Sequence, residues 1–308
     1  MAAAWTFPGQ GSQSVGAGRP FADLGTFALV EVIAHRSGVD VEHLLLRAPR
    51  EELARPEHTQ LVVFATCVLA LTYARPLLAE ATLLAGHSLG EVTALWAAGA
   101  ITLEGAIDVV VARSATTDAV ARTTTGAMAA VLGLSFDDVA TVCAAEESVW
   151  VANDNCPGQV VITGLEPGIS ATSNRLREAG GKVVRLPIGG AFHCPVMAPA
   201  REAFFTSIRN VGWRDAEIAV VSNADAVVRI GRHDWATLLA DQLVGNVRWV
   251  QCTKALVDNG VTTAIEFGPG AVLTGLTRRN APGLARHCVS SPADLDSLLD
   301  SSREEAAD

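Results

Sequence analysis

The residues with the clearest chemical content are Gly86-His87-Ser88-Leu89-Gly90, which fit the G-x-S-x-G pattern of a nucleophile elbow. Their flanks suit that reading. Ala81-Thr-Leu-Leu-Ala85 predicts a short buried strand, and Glu91-Val-Thr-Ala-Leu-Trp-Ala-Ala98 predicts a helix ended by Gly99. On so sharp a strand-to-helix turn the Ser88 hydroxyl is exposed, and the backbone N–H of Leu89 at the helix N-terminus can stabilise a developing oxyanion. The chemistry predicted is acyl transfer through an ester on Ser88. A bare pentapeptide also occurs in ordinary glycine-rich turns, and the strand before it and the helix after it are what separate the two cases.

Other nucleophiles and metal sites have weaker claims. Cys194 follows His193 directly, which invites a Cys-His pair, but neighbours on an extended segment point to opposite sides. The six cysteines (67, 143, 156, 194, 252 and 288) include no C-x-x-C pair and are expected to be reduced core or surface thiols. The seven histidines show no H-x-H, H-x-x-x-H or H-E-x-x-H spacing, so no metal site is expected.

The elements that must position the serine need a full core. A chain of 308 residues, 49% of them hydrophobic, is long enough for one large domain and a smaller one. A net charge of −10 without a basic cluster argues against nucleic acid and against an anionic membrane surface. Lysine stands only at 182 and 254, arginine filling the other basic positions. No apolar run is expected to reach the roughly 18 residues of a membrane helix. The start, Met1-Ala-Ala-Ala-Trp5, lacks the basic and long apolar stretches of a signal peptide, which predicts a cytosolic protein.

Along the chain, residues 3–7 read as a strand entering the glycine-rich turn Pro8-Gly-Gln-Gly-Ser-Gln13. Residues 61–74 read as a buried helix stopped before Pro76, and Thr102 as the cap of a helix over about 103–121 that carries Arg113. From 126 to 187 the predicted order is β-α-β-β-α-β, that of a ferredoxin-like unit, with Asn153 and Asn155 holding the turn before Pro157. After it come helix 199–210, strand 217–222, helices 234–243 and 250–259, and strand 263–267 opening onto Gly268-Pro-Gly270. The tail from Ser290 reads as a short helix followed by disorder. The fold expected is α/β: an α/β-hydrolase-like large domain (1–124 and 189–308, with the tail) into which a ferredoxin-like small domain (125–188) is inserted.

Five blocks in one order carry a resemblance. Phe7-Pro-Gly-Gln-Gly-Ser-Gln13, Gly86-His-Ser-Leu-Gly-Glu91, Asn153-Asp-Asn-Cys-Pro-Gly-Gln-Val160, Gly190-Ala-Phe-His193 and Glu266-Phe-Gly-Pro-Gly270 resemble the successive signatures of malonyl-CoA:acyl-carrier-protein transacylases and polyketide-synthase acyltransferase domains. The resemblance implies that Ser88 is the nucleophile and His193, 105 residues later, its general base. It implies no triad acid: a backbone carbonyl near Gln242 would hold the other ring nitrogen of His193. Gln10 would complete the oxyanion hole with the Leu89 N–H. Arg113 would pair bidentately with a malonyl carboxylate, for which a planar guanidinium is the natural partner. Gln60 matches a glutamine beside the active site, His87 supports the elbow, and the ring of Phe192 disfavours an α-methyl branch on the acyl group.

The chain also departs from that pattern. An apolar pair with methionine and then glutamine is usual after the arginine, whereas Arg113 is followed by Ser-Ala-Thr-Thr-Asp118. Thr117, at i+4 from Arg113, would line the acyl pocket, and a carboxylate at 118 could compete for the arginine. The expected substrates are a CoA thioester, most simply malonyl-CoA, and the phosphopantetheine thiol of an acyl carrier protein. No bound cofactor or metal is implied, and a monomer is expected. Arg175, Arg177, Lys182, Arg185, Arg201, Arg209, Arg278 and Arg279 are candidates for docking the acidic carrier. Two other readings stay open at this stage. One is a discrete pathway acyltransferase that moves a larger or amine-bearing acyl group between carriers. The other is an editing hydrolase in which water attacks the acyl-serine.

Overall fold

Short runs that are apolar on both faces form parallel strands only when helices cover both sides. In the computed structural model, which describes residues 2–307, this is the arrangement of β1 (Ala3–Phe7), β2 (Leu83–Gly86), β7 (Ala216–Val221) and β9 (Thr263–Phe267). With β8 (Val228–Gly231) and β10 (Ala285–Val289) they make a six-stranded sheet of order β10-β9-β1-β2-β7-β8, parallel except for β8 at one edge. One core lies on the face with Trp5, Phe7, Phe64 and Trp235; a second, with Trp249 and Leu256, lies on the other.

The helix Pro56–Ala74 runs through the first core, with every residue from Thr59 to Leu71 buried. It corrects one expectation. With its extension to Leu77 it is 22 residues long with a mean hydropathy of 1.5, long and apolar enough to cross a membrane, yet 72% of its most apolar window is buried inside the protein. Burial all round, rather than lipid, accounts for its composition.

A second sheet holds β3 (Gly126–Leu132), β4 (Val149–Cys156), β5 (Gln159–Leu165) and β6 (Lys182–Gly189) in the order β4-β5-β3-β6, every pair antiparallel. The helices Phe136–Ala144 and Gly168–Glu178 cover one face, around Val131, Val139, Ile162 and Leu176. This is the ferredoxin-like arrangement that the element order predicts. Two strands outrun the expectation. β4 passes Ala152 with two register shifts to reach Cys156, and β6 passes Leu186 to reach Gly189. Asn, Asp and Gly are poor strand formers, so composition hides these ends. Both lead toward Ser88. The short strands β8 and β10 and the helix Val272–Asn280 lie outside the predicted elements as well. The tail is helical over Pro292–Ala307, with Leu295 and Leu298 in the core; Asp308 lies outside the described residues.

Candidate active site

The carboxyl ends of β1, β2 and β7 converge, and ligands of open α/β sheets sit at such ends. β2 stops at Gly86, and the helix Gly90–Ala97 starts four residues later. The two glycines of the elbow are dictated by contact. A Cβ at Gly86 would overlap the Gly90 carbonyl, and one at Gly90 would overlap the carbonyl of Phe7 at the end of β1. Between them Ser88 is held at φ +55°, a strained conformation for a residue with a side chain. The Ser88 N–H donates to Asn223 Oδ1 at 2.6 Å, and Asn223 Nδ2 donates to the Gly86 carbonyl at 2.8 Å. The Leu89 N–H has no acceptor among the described residues, as expected for the first amides of a helix.

Ser88 Oγ lies 2.7 Å from His193 Nε2, although 105 residues separate them. His193, at φ +58°, follows the end of β6, and its Nδ1 lies 2.9 Å from the main-chain carbonyl of Gln242. A carbonyl only accepts, so Nδ1 carries the proton and Nε2 presents a lone pair to the serine hydroxyl. Burial first, and the neighbouring Arg113 second, hold His193 down to a pKa of about 3, so the imidazole is neutral at physiological pH. Cys194 is no rival: its thiol donates to the Ala191 carbonyl, and burial pushes it up to about 11.

Arg113 comes from the middle of the helix Leu103–Thr123, whose N-terminus Thr102 caps as predicted. Its Nη1 donates to Gln60 Oε1 at 2.7 Å; its Nη2 donates to Ser88 Oγ at 2.9 Å and to Gln242 Oε1 at 3.3 Å. All three acceptors are neutral, and the side chain is buried. Desolvation brings its pKa down to about 10, which leaves it a cation at neutral pH. Glu91 favours the charged form through the field but makes no contact with the guanidinium, and a buried charge without a contacting counter-charge is costly unless a partner is to be supplied.

The remaining predicted residues divide. His87 is part-buried, with Nε2 2.9 Å from Asn155 Oδ1 and its ring 5.4 Å from that of Trp249, so it braces the elbow and does not contact Ser88 Oγ. Asn155 therefore reaches from β4 across to the elbow, where the sequence suggested only a turn. Gln10 is half-buried on the loop after β1, and its side chain makes no hydrogen bond among the described residues. Phe192 is half-buried against both the first core and a small cluster with Met128 and Ile188. Thr117 is buried on the helix of Arg113, but its hydroxyl donates to the Arg113 carbonyl at 2.7 Å. Two residues are missing from the sequence-based candidates, Asn223 and Glu91. Glu91 is in the quoted motif but has no signal of its own, and Asn223 follows a strand with nothing to link it to the elbow.

The sequence pattern of the family described as "Acyl transferase domain" matches residues 4–284. The chain belongs to this acyltransferase family. Among its relatives, the malonyl CoA-acyl carrier protein transacylase of Bacillus subtilis (strain 168) is 33% identical over 98% of both chains. The crystal structure of acyl-carrier-protein S-malonyltransferase from Burkholderia pseudomallei 1710b superposes with a TM-score of 0.94 at 37% identity, covering 97% of this chain and 100% of that one. A malonyl-transacylase solved in complex with a type II PKS acyl-carrier protein superposes with a TM-score of 0.93 at 30% identity, covering 98% of this chain and 100% of that one.

The polar residues after Arg113 make no hydrogen bond or ion pair with its guanidinium among the described residues; Thr117 bonds only the Arg113 main-chain carbonyl. Asp118 pairs with Arg122 at 2.7 Å and not with Arg113. It borders a cavity of about 390 Å³ with Thr124, Gly189 and Gly190, whose lining does not include Ser88, His193 or Arg113.

Proposed function

We propose that this protein transfers a malonyl group from a CoA thioester, through an ester on Ser88, to the phosphopantetheine thiol of an acyl carrier protein. The observation that carries the reading is the buried Arg113 guanidinium 2.9 Å from Ser88 Oγ with only neutral acceptors around it. An acyl group bound to that oxygen and ending in a carboxylate supplies a contacting counter-charge, and a guanidinium holds it bidentately.

In this reading His193 Nε2 takes the Ser88 proton as Oγ attacks the thioester carbonyl, and the Gln242 carbonyl keeps the imidazole in the right tautomer. The Leu89 N–H and Gln10 stabilise the oxyanion, CoA leaves as the thiol, and the carrier thiol repeats the sequence in reverse. CoA and phosphopantetheine enter as substrates, and the reaction takes place in the cytosol. Residues 1–124 and 189–308 form one domain and 125–188 another, with His193 delivered from the second junction and Asn155 from the smaller domain.

The test is intact-protein mass after incubation with malonyl-CoA. Wild type is expected to gain one malonyl group and Ser88→Ala none; acylation that persists in Ser88→Ala would overturn the assignment. Arg113→Ala should lose malonyl transfer by roughly 2–4 kcal/mol, the scale of charge-assisted hydrogen bonds, while acetyl loading holds or rises.

A further inference from the structure

Gln242 touches all three functional groups. Its carbonyl accepts from His193, its Oε1 accepts from Arg113, and its Nε2 donates to the Ser88 carbonyl at 3.0 Å. A glutamine amide can turn over, and turned over it would aim its NH₂ at the guanidinium, donor against donor. Beside the Ser88 carbonyl, what opposes that turn is Glu91, fully buried on the first turn of the elbow helix and the nearer of the two acceptors. Glu91 Oε2 accepts from Gln242 Nε2 at 2.6 Å and from the Asn223 N–H at 3.1 Å. Asn223 in turn holds the Ser88 N–H and the Gly86 carbonyl.

We propose that Glu91 is a positioning residue which, through the Gln242 amide and Asn223, fixes Arg113 and the Ser88 elbow in one register. The inference rests on the malonyl-transfer reading above. One acceptor oxygen is all the role requires. Oε1 is buried with no partner among the described residues, and burial raises the pKa to about 7, so the role does not depend on full ionisation. A glutamine at 91 retains the acceptor, whereas a leucine fills the space without one.

The experiment compares wild type, Glu91→Leu and Glu91→Gln, with melting temperature, kcat and KM for malonyl-CoA, and Ser88 loading by malonyl-CoA and by acetyl-CoA. A released Gln242 loosens Arg113, which acetyl does not use. Glu91→Leu should therefore lose about 10–100-fold in malonyl kcat/KM, the worth of a hydrogen bond to a charged group, and lose less with acetyl. Glu91→Gln should restore the malonyl-to-acetyl ratio. An equal fall for both donors in a Glu91→Leu protein that melts like wild type overturns the proposal, as does a wild-type ratio there. Should the leucine variant not fold, Glu91→Gln decides: a folded variant without malonyl preference overturns the proposal, and one that keeps it supports the proposal. Wild-type enzyme that does not load malonyl counts against the function itself, not against Glu91.

Discussion

The two sides of the site are built on opposite plans. At the elbow, Ser88 and His193 both sit at positive φ, a Cβ at Gly86 or Gly90 would strike backbone, and Glu91 accepts from both Asn223 and Gln242, each of which also bonds to Ser88. At the end of the helix Leu103–Thr123, Thr117 turns its hydroxyl back onto its own helix, and Asp118 pairs outward with Arg122, which is 71% exposed. The first region stores strain that surrounding contacts over-determine; the second satisfies its polar groups locally. Only where polar groups answer to one another across the fold does a substitution reach the chemistry, so changes at Thr117 and Asp118 are expected to be mild.

The strongest way to break this contrast is at the elbow. His193→Ala should cut turnover by about 10²–10⁴-fold, the usual scale of a positioned acid-base group, with little change in malonyl-CoA binding. Near-wild-type turnover would place the base elsewhere and reduce the elbow to a scaffold.

A smaller effect concerns pH. His193 falls from 6.5 to about 3 on folding, so between those values the unfolded chain binds the extra proton and stability is lost as pH falls. Glu91 rises from 4.5 to about 7, so the folded chain binds the extra proton and stability is lost as pH rises through that range. Between pH 4.5 and 6.5 the two slopes oppose each other, each at about 1.4 kcal/mol per pH unit. In urea unfolding across this window, His193→Gln should therefore lose stability relative to wild type as pH rises, and Glu91→Gln should gain it. Two variants that both track wild type would mean that neither group is desolvated as the geometry requires.

The smallest effect sharpens the other side. Thr117→Met with Asp118→Gln should change malonyl kcat/KM and the preference over larger donors by less than about 1 kcal/mol, since it removes a partly exposed ion pair and a local helix bond. A tenfold change in donor preference would show that this wall sets specificity after all.

The sequence determined the elements and the chemistry it could name locally. The elbow is legible because G-x-S-x-G lies within five residues and Gly86 answers to a contact with Gly90 inside the motif, although Gly90 answers to Phe7 on β1. The β-α-β-β-α-β order is legible because alternation and turn residues are local signals, and Thr102 is legible as a cap for the same reason. His193, Arg113 and Gln60 came through the family resemblance, since nothing near them in the chain marks them. Only the tertiary structure decided the rest. Asn223 lies 135 positions from Ser88 and Gln242 lies 151 from Glu91, and no periodicity ties such residues together. β4 and β6 run on toward the site through residues that disfavour strands, because pairing partners and a bridge from Asn153 to Val247 outweigh propensity there. Local preferences are worth tenths of a kcal/mol and are written in neighbours. The geometry that puts a neutral imidazole and an unpaired guanidinium on one serine oxygen is set by burial, which only the folded chain possesses.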